Sequence, residues 1–104
     1  MIKQVKVVSV RKAIERLTKR FPDIHGMRPG EEWGTGKGSI HLGDVAEGGE
    51  IDHLPAANYY AGFEDPHEKI YVLGFHRKLR DALQSMGYSL IEWYDPGTAI
   101  AYPD

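Results

Sequence analysis

The chain predicts a small α+β fold: a mostly antiparallel sheet of an N-terminal strand, a short central strand and a C-terminal hairpin, with two helices packed on one face. Three observations predict it. Residues 65–87, DPHEKIYVLGFHRKLRDALQSMG, have helical periodicity between capping signals. Ile2 to Val8 is dominated by β-branched residues, which favour strands. Beyond Gly87, two apolar stretches flank Asp95-Pro96-Gly97, a turn signal.

Taken in order, Ile2 to Val8 reads as a strand with Val5 and Val7 on one face and Lys6 on the other. Ser9 is placed to cap the helix that follows. Over Val10 to Phe21 the apolar Val10, Ile14, Leu17 and Phe21 form a narrow stripe. Lys12, Arg16, Lys19 and Arg20 fill an arc of about 100° to one side of it. Pro22 stops the helix.

Residues 22–64 then form a Gly-rich, acidic, loop-like segment within a single α+β domain spanning 1–104. Nine of the 12 glycines fall between residues 22 and 62. A structureless connection of this length is uncommon in a compact domain. Short strands are therefore expected near Ser39 to Leu42 and around Ile51, a turn of helix after Pro55, and exposed loop elsewhere.

The second helix has Asp65 as N-cap, Pro66 at the first helical position, Glu68 reaching back and Gly87 just past the end. Phe75, His76, Leu79, Ala82, Leu83 and Met86 fall within an arc of about 120°, as one face on a core requires. Ile70 and Leu73 lie off that arc, so Lys69 to Leu73 is either helix buried on two sides or a short strand ending at Gly74. The reading taken is continuous helix. Tyr88 to Tyr94 alternates as a strand with Ile91 and Trp93 on one face, and Thr98 to Tyr102 returns antiparallel. Pro and Gly at the second and third turn positions suit type II, which splays hairpin strands, so a loop wider than two residues is expected.

Composition narrows the function classes. There is no cysteine, so disulfides, thiolate zinc sites and iron-sulfur clusters are excluded. The longest run free of Asp, Glu, Lys and Arg, His53 to Phe63, is far shorter than the roughly 20 apolar residues of a membrane helix. The opening apolar run meets Arg11 and Lys12, unlike a signal peptide. A soluble, cytoplasmic protein is the expectation. The net charge of −2 conceals blocks: residues 1–30 carry eight basic and two acidic groups, residues 31–68 one basic and nine acidic.

No catalytic signature stands out. Gly34-Thr35-Gly36-Lys37-Gly38-Ser39 resembles a phosphate-cradling loop, but a P-loop needs Gly where Glu31 stands and Ser or Thr directly after Lys37. A tightly turned loop is the reading taken. No serine lies in a nucleophile elbow. His25, His41, Asp44, Glu50, Asp52, His53, His67 and Glu68 are potential metal ligands, yet none forms a dense ligand motif. No cofactor is expected. His76, on the apolar arc, reads as a satisfied boundary histidine rather than a base.

Three functional readings remain. The first is a non-enzymatic binding or regulatory protein, an inhibitor or adaptor, that docks a protein partner. Its contact surface would be Asp44, Glu47, Glu50, Asp52, Tyr59, Tyr60 and Glu64, where carboxylates steer and aromatics anchor. The second is nucleic-acid binding through Lys12, Arg16, Lys19 and Arg20, against which stands a pI of about 6.2. The third is a metal-dependent hydrolase around His41, Asp44 and His53.

Overall fold

The computed structural model describes residues 7–60 and 70–104. Helix α1 (Val10–Arg20) begins where expected: Ser9 Oγ accepts the Lys12 N–H, and the Phe21 N–H closes the last turn onto the Leu17 carbonyl. Its buried stripe is Ala13, Leu17 and then Phe21, with Val10 and Ile14 half-covered. Strand β1 (Arg28–Pro29), a 3-10 helix (Gly30–Trp33) and strand β2 (Ile40–His41) follow. Two hairpins come next, β3 (Glu50–Ile51) with β4 (Leu54–Pro55), and β5 (Tyr71–Val72) with β6 (Phe75–His76). Helix α2 (Arg77–Ser85) leads to β7 (Leu90–Asp95) and β8 (Thr98–Tyr102).

The main sheet is antiparallel in the order β1-β2-β8-β7. Strand β2 is the short central strand that the sequence predicts, and β7 and β8 are the C-terminal hairpin. Side chains alternate across β8. Ala99 and Ala101 join a cluster with Ala13 and Leu17 of α1 and Leu79, Ala82 and Leu83 of α2, so both helices bury their apolar stripes against the same face. Each fully buried leucine there contributes about 1.5–3 kcal/mol of transfer free energy. Ile100 points the other way, beside its register partner His41. Trp33 of the 3-10 helix packs edge-on against His41, with ring centroids 4.9 Å apart.

The predicted continuous helix is corrected over residues 70–76. The chain there forms the β5–β6 hairpin, and α2 starts at Arg77 with His76 as its N-cap. The two-residue loop, Leu73-Gly74, has φ of +54° and +90°, the doubly positive pair that a twisted two-residue hairpin demands. Leucine rarely adopts that backbone, which is why the turn looks helical in sequence. The proposed cap Asp65, with Pro66 and Glu68, lies outside the described residues. So does most of the N-terminal strand: of Ile2 to Val8 only Val7 and Val8 are described, and they belong to no strand. The far end of α2 matches its reading. Gly87 takes φ +91°, with the Gly87 N–H on the Gln84 carbonyl and the Tyr88 N–H on the Leu83 carbonyl.

The middle segment is also corrected. Short strands stand at Ile40–His41 and Glu50–Ile51 as expected, but the remainder is not all exposed loop: Ile24, Val45, Ala56 and Ala57 join Ile40, Leu42 and Ile51 in the core. Over residues 56–60, the described residues directly after Pro55, there is no helical turn. Ala57 instead donates to the Val45 carbonyl and Asn58 to the Gly74 carbonyl, because the extended backbone bridges two loops that would otherwise leave buried carbonyls unpaired. Residues 34–39 form the tightly turned loop, tied by Ser39 Oγ on the Gly36 carbonyl at 2.7 Å and Thr35 Oγ1 on the Gly30 carbonyl at 3.0 Å.

The C-terminal turn is narrower than expected. Gly97 does not take the positive φ of a type II turn, and its N–H is held by the Asp95 carboxylate at 2.9 Å. A bulge between Trp93 and Asp95 absorbs the splay and turns Tyr94 outward.

Candidate functional site

Burial of its apolar residues fixes how the acidic segment presents its charges. With Val45, Ile51, Ala56 and Ala57 inside, Glu47, Glu50 and Asp52 are exposed and Asp44 is half-buried. A recess of about 330 Å³ opens among Ala46, Gly48, Glu50, Pro55, Tyr60 and Pro96. Tyr60 is 70% exposed at its rim. Tyr59 is edge-on to both Tyr60 and Trp93, at 5.5 and 5.4 Å, and Trp93 stacks on Phe75 at 4.6 Å, so an aromatic ladder joins the rim to the core. Glu50, Tyr59 and Tyr60 therefore share one recess. Glu64 lies outside the described residues.

The other acids have different surroundings. Asp52 and His53 are the two loop residues of the β3–β4 hairpin, both at positive φ, and the Asp52 carboxylate pairs with Lys78 Nζ. That hydrogen bond is the main reason its pKa lies below the ordinary carboxylate value. Glu47 and Glu50 have no cationic partner among the described residues. None of the described carboxylates pairs with α1. Lys12, Arg16, Lys19 and Arg20 are all exposed, without an ion pair among the described residues.

A second recess, of about 340 Å³, brings His41 and Asp44 together with His25, Arg28, Trp33 and Glu47. Its construction follows from the β1–β2 register. Arg28 lies opposite His41. Two glycines, Gly26 and Gly43, face each other further along, and then the Asp44 N–H donates to the His25 carbonyl at 2.9 Å. A Cβ on Gly43 would stand 2.1 Å from the His25 carbonyl oxygen, so only glycine allows these segments to close. Asp44 fixes His25 twice more, accepting its backbone N–H at 2.7 Å and lying 3.3 Å from its Nδ1.

His41 is only 7% exposed. Burial first, and then the nearby Arg28, hold its pKa below 6.5, so it is neutral at neutral pH. Its Nδ1 accepts the Gly43 N–H at 3.0 Å, which puts the single ring proton on Nε2. That Nε2–H has no hydrogen-bond acceptor among the described residues. Leaving a buried donor unpaired costs about 1–3 kcal/mol. His53, the third residue of the metal reading, sits at the β3–β4 tip and does not line this recess. Among the described residues, no group of three or more His, Asp or Glu side chains is placed to hold a metal ion.

His76 is buried as well, and its role is structural: Nδ1 accepts the Lys78 N–H at 3.1 Å, capping α2. Its pKa is lowered chiefly by burial. A depressed histidine pKa means that the unfolded chain binds more protons. The stability from neutral His41 and His76 is thus complete above 6.5, the unfolded value, and is lost as pH falls through their lower folded values. The urea midpoint is expected to drop between pH 7.5 and 5. His76→Asn keeps a capping acceptor without titrating and should shrink that drop. An unchanged wild-type midpoint over that interval would contradict the assignment.

Arg28, Trp33 and Pro96 go unnoticed in sequence because neither their types nor their spacing form a motif. The signal was Gly26 and Gly43, whose glycines register against each other only once the strands pair. No helix among the described residues is long and apolar enough to cross a membrane. Compared with known proteins, no family model, no curated protein and no solved structure matches the chain.

Proposed function

We propose that the chain is a non-enzymatic binding protein that docks a basic segment of a protein partner on the acidic surface around Gly48 and Tyr60. The observation that carries this reading is the pairing of uncompensated charge with an open aromatic rim. Glu47 and Glu50 lack cationic partners among the described residues, and Tyr60 stands 70% exposed beside the recess that Glu50 lines and Glu47 flanks in the chain. An arginine or lysine from the partner would pair with Glu50 and lie over the Tyr60 ring. Tyr59, braced by Trp93, makes the rim rigid, which lowers the ordering cost of binding.

Titration with a hexapeptide of alternating arginine and alanine, followed by amide chemical shifts, tests this. Shifts should centre on Glu47, Gly48, Glu50 and Tyr60 and diminish with salt. The combined variant E47Q/E50Q/Y60A should bind about 30-fold more weakly, since truncating a buried tyrosine anchor costs about 2 kcal/mol or more. Shifts outside this surface, or full affinity in the variant, would refute the reading.

The second reading is nucleic-acid binding by α1, favoured by one observation: four exposed cations on the same helix, none ion-paired among the described residues. The apolar stripe of α1 is consumed by the core, so only charge remains to bind. Adding mixed-sequence DNA to the same samples separates the readings. Shifts confined to α1 that fall steeply with salt would promote this second reading.

A further inference from the structure

The geometry points to the recess between β1, β2 and the β7–β8 turn as a binding site for a small oxyanion, a carboxylate or a phosphate group, held by Arg28 and the Nε2–H of His41. Glu47 lines this recess and adjoins the Gly48–Tyr60 surface, whereas Glu50 and Tyr60 line only the latter.

Three observations converge on it. First, His41 is 93% buried yet keeps one donor unpaired among the described residues while lining an open recess. Buried donors are nearly always satisfied, so this one calls for an acceptor from outside. The tautomer is fixed by Gly43, which makes Nε2 a donor and not an acceptor. The ligand must therefore bring a lone pair, as an oxyanion does and a metal cation does not. Second, Arg28 is the register partner of His41 and lines the same recess, so a guanidinium fork is available to a ligand that the imidazole N–H holds. A fork and a single donor match the planar pair of oxygens on a carboxylate or two oxygens of a phosphate. Third, Gly26 and Gly43 line the recess, and Gly43 is sterically obligatory for the close approach of the two segments that build it. Trp33 walls the recess, held edge-on between His41 and Tyr94 at 4.9 and 4.5 Å.

The far side of the recess selects among anions. Asp44 and Glu47 line it, and Asp44 is committed to His25. Their charges oppose an extended polyanion such as nucleic acid and admit a small ligand with one oxyanionic end.

The test uses the full chain, ¹⁵N-labelled on histidine, titrated at constant ionic strength with sodium acetate or inorganic phosphate against chloride. The His41 Nε2 resonance should move and saturate, with a parallel change in Trp33 fluorescence. Stronger binding of acetate would assign a carboxylate ligand and stronger binding of phosphate a phosphate ester, and either supports the site. Arg28→Ala should weaken binding about tenfold or more, because a charge-assisted bond is lost. His41→Asn can still accept the Gly43 N–H but has no donor at the Nε2 position, and should lose binding while keeping its urea midpoint at pH 7.5 close to wild type. Lys37→Ala, exposed and outside the recess, should bind as wild type. A non-saturating response in both salts, or undiminished binding by Arg28→Ala, would overturn the proposal. Should His41→Asn unfold, Arg28→Ala decides alone, since Arg28 is exposed.

Discussion

Phe75→Ala is expected to destabilise the fold by about 3–5 kcal/mol, a large share of the stability of a chain this size. Phe75 is 1% exposed and stacks on Trp93, with ring centroids 4.6 Å apart and an interplanar angle of 18°. It stands where three elements meet: β6, through its pairing with Val72; the middle segment, through its bridge to Ala57; and the C-terminal hairpin, through Trp93. Removing the ring leaves a cavity that none of these can fill, since each is fixed by backbone hydrogen bonds. Urea unfolding measures the loss, and Trp93 fluorescence should report a looser ring in the folded variant. Phe75→Leu, which retains most of the volume, should cost clearly less. A loss under about 1 kcal/mol for Phe75→Ala would mean that the junction is not packed as described.

Gly43→Ala is expected to cost about 2–4 kcal/mol. Two effects add. Its φ of +67° is a left-handed backbone, worth about 1–2 kcal/mol against any residue with a Cβ. The new Cβ would also lie 2.1 Å from the His25 carbonyl oxygen and 2.8 Å from Met27 N, backbone atoms that cannot rotate away. Gly34→Ala is the matched control, at φ +87° with nothing within 4 Å of its Cβ, and should pay only the conformational part. Equal urea midpoints for the two variants would show that the strands do not approach as closely as described. Because the clash pushes residues 25–27 from residue 43, the same variant should also break the His25–Asp44 contacts and spread the second recess.

Side-chain periodicity made the two helices, the central strand and the C-terminal hairpin legible, and capping chemistry made Ser9 and Gly87 legible as their boundaries. Local signals failed where the backbone did something rare for the residue concerned. Leu73 at φ +54° and His53 at φ +66° are turn residues by conformation but not by type, so one hairpin looked helical and the tip of another looked like a metal ligand. The acidic and aromatic residues of the middle segment were recognisable as a candidate surface. Which of them share a recess was not, because Glu50, Tyr59 and Pro96 come together only through packing.

By itself, the sequence determined the α+β class, the apolar faces of both helices and the absence of any thiol chemistry, because these depend on residue type and on spacing within one element. Only the tertiary structure decided that the glycine-rich segment enters the core, that Glu47 and Glu50 remain without cationic partners among the described residues, and that His41 keeps an unpaired N–H beside Arg28. Those properties arise from strand register and from burial, and both are set by contacts between residues far apart in the chain.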